Sequence, residues 1–168
     1  VLTELPFQKD DETFRPDISL LINGMPLVFI EVKKPNNRDG ILDEHRRMER
    51  RFKNKKFRKF INITQLMVFS NNMNYSDEDT QMLEGAFYST TNYSRPIFNF
   101  FREEDAFNLE ILLKPLSEEV ENAVLKDTNL LSIKTNREFK SNKKATTPTN
   151  QIATSLFQRD RLKFILRY

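Results

Sequence analysis

The residues Ile18-Ser-Leu-Leu-Ile22 and Leu27-Val-Phe-Ile-Glu-Val32 flank the pair Asn23-Gly24, and no other feature restricts the fold as tightly. Asn and Gly both accept the left-handed backbone that a two-residue reverse turn demands, and apolar, β-branched flanks suit paired strands. The spacing predicts an antiparallel hairpin with strands over 18–22 and 27–32. A turn centred on Asn23-Gly24 sets residue 17 opposite residue 30. Asp17 then stands within about one residue of Glu31 across the ladder, where neighbouring side chains lie roughly 5 Å apart. Side chains alternate along a strand, so Glu31 and Lys33 share a face. Val32 points away, and its backbone carbonyl stays near the Glu31 side. An apolar hairpin thus carries two carboxylates and an ammonium at its open end. Buried charges of this kind are paired or hold a metal. Two carboxylates and a carbonyl at that separation can share a divalent ion, while a plain ion pair between Lys33 and one carboxylate would explain two of the three residues.

Composition narrows the chemistry. The chain has no Cys and a single His, His45, which excludes thiolate metal sites and argues against a His-based zinc site or a Ser-His-Asp triad. Oxygen ligands remain, and these favour hard ions such as Mg²⁺ or Mn²⁺. At 168 residues, 38% hydrophobic and 30% charged, the chain has the size and polarity of one soluble domain. No apolar run approaches the roughly 18 residues needed to span a bilayer. Fifteen Phe and no Trp make a strong aromatic bias. The chain opens on Val1 and stops at Leu166-Arg167-Tyr168, and is expected to be a piece of something longer.

Charge is unevenly spread. Between Arg38 and Lys59 there are ten basic residues against four acids, a local excess of six in a chain whose net charge is +3. Arg46, Arg47, Arg50, Arg51, Lys53, Lys55 and Lys56 are the expected contacts to a phosphate backbone, although a solvated helix face would look the same. Ile41, His45, Met48 and Phe52 recur at helical spacing, which predicts a helix over about 41–60 with those residues on its apolar face. Further strands are predicted over 65–70, 86–90 and 96–101. A helix is expected to open at Ser117-Glu118-Glu119, whose acids suit its positive end. Residues 134–149 read as a linker or surface loop, and Leu156, Arg161-Leu162 and Phe164-Ile165-Leu166 as part of a terminal helix. The whole predicts an α/β fold with a mixed sheet of about four to five strands flanked by helices.

The run Arg15-Pro16-Asp17, apolar strand, Asn23-Gly24, Pro26-Leu27, apolar strand, Glu31-x-Lys33-x-Pro35 resembles the PD-(D/E)xK nuclease motif. More narrowly, it resembles the amino-terminal nuclease domain of the restriction (R, HsdR-type) subunit of type I restriction-modification enzymes. The stretch Gln65–Asn72 is similar to that family's third strand, and Thr147–Tyr168 to the segment leading into its motor domains. The likeness is weak between about 73 and 145. It implies a PD-(D/E)xK restriction-endonuclease-like core over 1–133, followed by a linker and helical segment over 134–168 leading to motor domains that lie elsewhere.

Carried over residue by residue, the resemblance makes Asp17 and Glu31 metal ligands together with the Val32 carbonyl, and Lys33 the catalytic lysine. The chain departs from the family at the Gln-x-x-x-Tyr motif of the following helix, where His45 and Glu49 stand at about the corresponding positions. His45 could act as a polar group near DNA or as a packed core residue. For the superfamily's further acidic residue, Glu4 and Glu12 are the candidates. The implied activity is Mg²⁺-dependent (or Mn²⁺-dependent) hydrolysis of duplex DNA in the cytoplasm of a bacterium or archaeon. The implied partners are methyltransferase and specificity subunits, and no membrane. ATP would be used only by the motor domains, since this chain has three Gly in all and no phosphate-binding Gly-x-x-x-x-Gly-Lys loop. Another PD-(D/E)xK nuclease of resolvase type would share the three site residues. A non-catalytic DNA-binding module would need only the basic stretch, and an inert domain neither.

Overall fold

The computed structural model describes the chain except for residues 36, 38, 75–77, 79, 81–83, 102–112 and 168 and the side chains of 166 and 167. The predicted hairpin is present: strand β4 (Ile18–Ile22) turns through Asn23 (φ 50°) and Gly24 (φ 79°) into β5 (Met25–Val32). Three short strands precede it, β1 (Leu2–Thr3), β2 (Phe7–Lys9) and β3 (Glu12–Phe14). Sequence reading missed them because they are short and largely polar. Beyond the hairpin lie helix α1 (Gly40–Lys53), a 3₁₀ turn (Lys55–Phe57), helix α2 (Arg58–Ile63) and strand β6 (Leu66–Ser70). Strand β7 (Ala86–Thr90) and the brief β8 (Asn99–Phe100) complete the strands among the described residues. The order β1-β4-β5-β6-β7-β8 gives a mixed six-stranded sheet in which only the β5–β6 pair is parallel, and β2–β3 form a separate ribbon. This flanked mixed sheet agrees with a restriction-endonuclease-like core.

The predicted 41–60 helix is broken at Asn54. Asn54 takes extended angles (φ −82°, ψ 114°), and its side chain accepts a hydrogen bond from the Lys56 N–H at 2.9 Å, capping the turn that follows. The break lets Phe57 and Phe60 swing onto the sheet, where both are buried.

Strand alternation divides β5 between two faces. Phe29 enters a cluster with Phe14, Ile41, Met48, Phe57, Phe60, Met67, Phe69, Phe87 and Phe98, which places α1 and α2 over that face. Phe7, Phe52 and Phe100 pack around its edge, so this one layer absorbs ten of the fifteen Phe. The rings meet edge to face, Phe14 on Phe29 at 5.3 Å and on Phe60 at 5.0 Å, or stacked, as Phe69 on Phe98 at 4.1 Å. Such pairs add about 0.5–1.5 kcal/mol each beyond their burial. Val28 and Ile30 face the other way, against Leu66, Val68, Ala86, Phe101, Ile152 and Leu156. All five residues of β6 are buried, as expected of a strand covered on both sides.

The cover on the second face comes from the C-terminal stretch. After α3 (Glu118–Asp127), capped by Ser117 as predicted, come a second 3₁₀ turn (Leu131–Thr135) and α4 (Arg137–Ser141). Then come α5 (Pro148–Ser155) and α6 (Arg159–Arg167). The 134–149 stretch read as linker or loop is therefore partly helical, and Thr147-Pro148 starts a helix rather than ending a loop. Proline is well placed at a first helical position, where its missing N–H costs nothing. No helix among the described residues is long and apolar enough to cross a membrane.

Asn72 fastens α5 to the end of β6. At φ 59°, its side chain accepts from the Thr149 N–H (3.0 Å) and donates to Asn142 Oδ1 (2.8 Å), while Ser70 Oγ meets Thr149 Oγ1 at 2.9 Å. Two effects separate by substitution. Asn72→Gly keeps the left-handed backbone and loses the two side-chain bonds, for an expected loss of about 1–2 kcal/mol. Asn72→Ala adds roughly 1 kcal/mol of backbone strain to that loss. Urea melts of both variants beside the parent check the order.

Candidate active site

The hairpin brings its open-end charges together more closely than a simple turn count predicts. Ile18 pairs with Ile30, but Leu21 pairs with Pro26, because Leu27 is an extra residue bulged out of β5. Its carbonyl accepts from the Gln65 N–H at 2.7 Å, at the head of β6. The bulge shifts the register by one, so Asp17 continues the ladder opposite Glu31 itself rather than opposite residue 30. The two carboxyls then cross between strands. Glu31 Oε2 accepts from the Asp17 N–H at 3.1 Å, and Asp17 Oδ2 accepts from the Val32 N–H at 2.7 Å. Since the N–H and C=O of one strand residue point to the same side, the Val32 carbonyl lies on the Asp17 side. Lys33, by contrast, gives its N–H to the Ser70 carbonyl of β6 at 2.8 Å.

Glu31, 4% exposed, is on the aromatic face and not in solvent. Burial pushes its carboxyl up to about 7, nearby Glu44 and Asp17 push the same way, and Lys33 pulls it back. Glu44 is the residue sequence reading missed. It is fully buried at 0% and carries three cations: Lys33 Nζ at 3.1 Å and an Arg47 nitrogen at 2.8 Å, both on Oε2, and an Arg51 nitrogen at 3.0 Å on Oε1. Lys33 Nζ also stands 3.6 Å from Glu31 Oε1. The first turn of α1 can come this close because residue 40 is glycine. A Cβ there would meet the Asn37 side chain at 3.1 Å and Lys33 Cβ at 3.3 Å. The signal that could have revealed Glu44 is its position three after Ile41 and four before Met48, inside the apolar stripe, with Arg47 and Arg51 beside it.

The basic residues of α1 divide between two roles. Arg51 is turned inward: its side chain is 16% exposed, lies 3.8 Å from the centre of the Phe14 ring, and holds Glu44. Burial lowers its affinity for a proton and Glu44 opposes that. This geometry corrects the expectation that Arg51 reaches outward to a phosphate. Arg47 is half-exposed with one nitrogen on Glu44. Arg46, Arg50, Lys53 and Lys55 are exposed, Arg46 beside Asp43 at 3.0 Å, and Lys56 pairs with Asp11 on the β2–β3 ribbon. Arg38 lies outside the described residues.

His45 is a packing residue, its ring edge-on to Phe98 at 4.6 Å, and Glu49 is half-buried on the same helix. Of the two upstream acids, Glu4 gives its N–H to the Asp17 carbonyl at 2.9 Å but turns its carboxylate to Arg15, and Glu12 belongs to the β2–β3 ribbon. Among the described residues no three of His, Asp or Glu gather around one point. A cation here would rest on Asp17, Glu31, the Val32 carbonyl and water. That donor set suits Mg²⁺, which keeps several waters and one or two carboxylates.

Folded, Glu31 keeps its proton up to about pH 7, and unfolded it loses it near 4.5. The folded state binds more protons in that window, so stability of the metal-free protein falls as pH rises from about 4.5 to about 7. The fall attributable to this group is of the order of 3 kcal/mol, at about 1.4 kcal/mol per pH unit. Glu31→Gln should remove it and exceed the parent in stability at about pH 8, as urea melts across the range would show.

Residues 1–76 match the family model described as type I restriction enzyme R protein N terminus. Comparisons with curated proteins and with solved structures gave no match. The matched residues run from β1 past β6 and include Asp17, Glu31, Lys33, Glu44 and the basic side of α1. Over these residues the chain is similar to the type I restriction enzyme R protein N terminus.

Proposed function

We propose that the chain is the DNA-cutting module of a type I restriction enzyme R subunit and hydrolyses phosphodiester bonds of duplex DNA with Mg²⁺ or Mn²⁺. The observation that carries this reading is the crossing of Asp17 and Glu31 between paired strands with the Lys33 ammonium beside them. Asp17, Glu31 and the Val32 carbonyl would hold the ion, which when bound would polarise the scissile phosphate and lower the pKa of a water. Lys33 then orients that water and offsets charge gathering on the phosphate oxygens. The exposed Arg46, Arg50, Lys53 and Lys55 take the DNA backbone, with Arg47 and Lys56 able to join them at the cost of their present ion pairs. None of these groups reads a base, so choice of sequence belongs to a specificity subunit, with a methyltransferase subunit as the other partner. The residues beyond 133 lead towards ATP-driven motor domains, and the setting is the cytoplasm of a bacterium or archaeon.

Binding and chemistry should separate by residue. Asp17→Asn and Glu31→Gln should each abolish Mn²⁺ binding and cleavage, because a neutral amide is a poor ligand for a hard ion. Lys33→Ala should keep Mn²⁺ affinity and lose about 10²–10⁴-fold in cleavage. Calorimetric titration beside nicking of supercoiled plasmid measures both, and wild-type protein that binds no divalent ion with DNA present would end the nuclease reading. Neutralising Arg46, Arg50, Lys53 and Lys55 together should weaken binding to any duplex and flatten its salt dependence by up to about 0.9 log unit per lost phosphate contact. An unchanged slope in filter binding would remove this face from the interface.

A further inference from the structure

We propose that Glu44 is the positioning residue for Lys33: it anchors the ammonium beside Glu31, and Arg47 and Arg51 in turn anchor Glu44. A carboxylate with 0% exposure is costly wherever a neighbouring apolar residue would serve. Ile41 and Met48, one turn to either side on the same face, show that apolar residues suit this face. The charge is therefore explained by what it touches. Among the described residues, two of its partners come from its own helix, at i+3 and i+7, and only Lys33 comes from outside it. The ammonium is 3.1 Å from Glu44 and 3.6 Å from Glu31, so Glu44 is its nearer anchor. A lysine side chain has four rotatable bonds and a strongly hydrated head, and one weak contact does not fix it. When Glu31 gives its oxygens to an ion, Glu44 still holds the ammonium within reach of the same phosphate. Arg47 shares Oε2 with Lys33, and buried Arg51 occupies Oε1, which leaves the carboxylate little freedom to turn away.

The consequence for catalysis rests on the nuclease reading, whereas the anchoring does not, and the test keeps the two apart. In protein labelled with ¹⁵N-lysine and free of divalent ions, the Lys33 ammonium gives a ¹H–¹⁵N signal identified by its loss in Lys33→Arg. Glu44→Gln should speed its exchange with water at least about tenfold, as expected for the loss of a buried ion-pair partner, or broaden the signal beyond detection. An unchanged signal overturns the proposal whether or not the protein cuts DNA. Should Glu44→Gln fail to fold, the double variant Glu44→Gln/Arg51→Met, which removes the buried charge with one of its partners, answers the same question. In the cleavage assay, Glu44→Gln should lose activity with Mn²⁺ and duplex affinity kept, and should cost nothing further in a Lys33→Ala background. Losses that multiply would show Glu44 acting independently of Lys33 and would overturn the positioning role. Wild-type protein that neither binds Mn²⁺ nor cuts removes the nuclease reading alone, and the ammonium measurement still decides the anchoring.

Discussion

A carboxylate taken out of water needs compensating charge, and at the end of β5 two of them, Glu31 and Glu44, have Lys33 between them. Much of the local architecture follows from that requirement. Glu44 is satisfied by three cations, which fixes the rotation of α1 about its axis and draws Arg51 down over Phe14. Glu31 has one backbone N–H and the Lys33 ammonium at 3.6 Å, and burial, with Glu44 beside it, raises its carboxyl to about 7. The imbalance is local: one carboxyl is saturated, and the other remains open to a further positive charge.

The hairpin, β6, β7 and the start of α3 were legible because each rests on a local signal: an Asn-Gly turn, an apolar run bounded by Asn, a serine cap before acids. Asp17 and Glu31 were legible as neighbours from turn position and alternation alone. Their true register was not, because it depends on a bulge at Leu27. Pro26 was the sign of it, since proline inside a strand sits at bulges and edges. Glu44 escaped notice because Asp43, Glu44 and Glu49 look alike in a helix rich in charge. Only the close approach of the α1 start at Gly40 tells which one is turned inward. The β1 to β3 strands are too short to show a period, and α5 was hidden by a Thr-Pro-Thr string that reads equally as a loop.

The uneven charge acquires a meaning that composition could not give it. The basic excess near α1 is partly internal bookkeeping, with Arg47 and Arg51 answering Glu44 and Lys56 answering Asp11. What remains facing outward among the described residues is the smaller set Arg46, Arg50, Lys53, Lys55, Arg58 and Lys59. A tally of Lys and Arg along a sequence thus overstates the field a helix presents.

The covering of the sheet's second face by α5 bears on the order in which the chain assembles. Every residue that meets at the charged cluster is made by position 51, and the strands that hold them by position 70. Yet among the described residues Val28, Ile30, Leu66 and Val68 pack against Ile152 and Leu156, which come some eighty residues later. A chain emerging from the ribosome therefore carries its charged cluster well before the C-terminal helices that pack on the sheet's second face. Contacts closing so long a loop form late and leave such surfaces exposed to other chains in the meantime. A piece cut after β6 would hold the charged residues but none of the residues from Ile152 onward that pack on that second face.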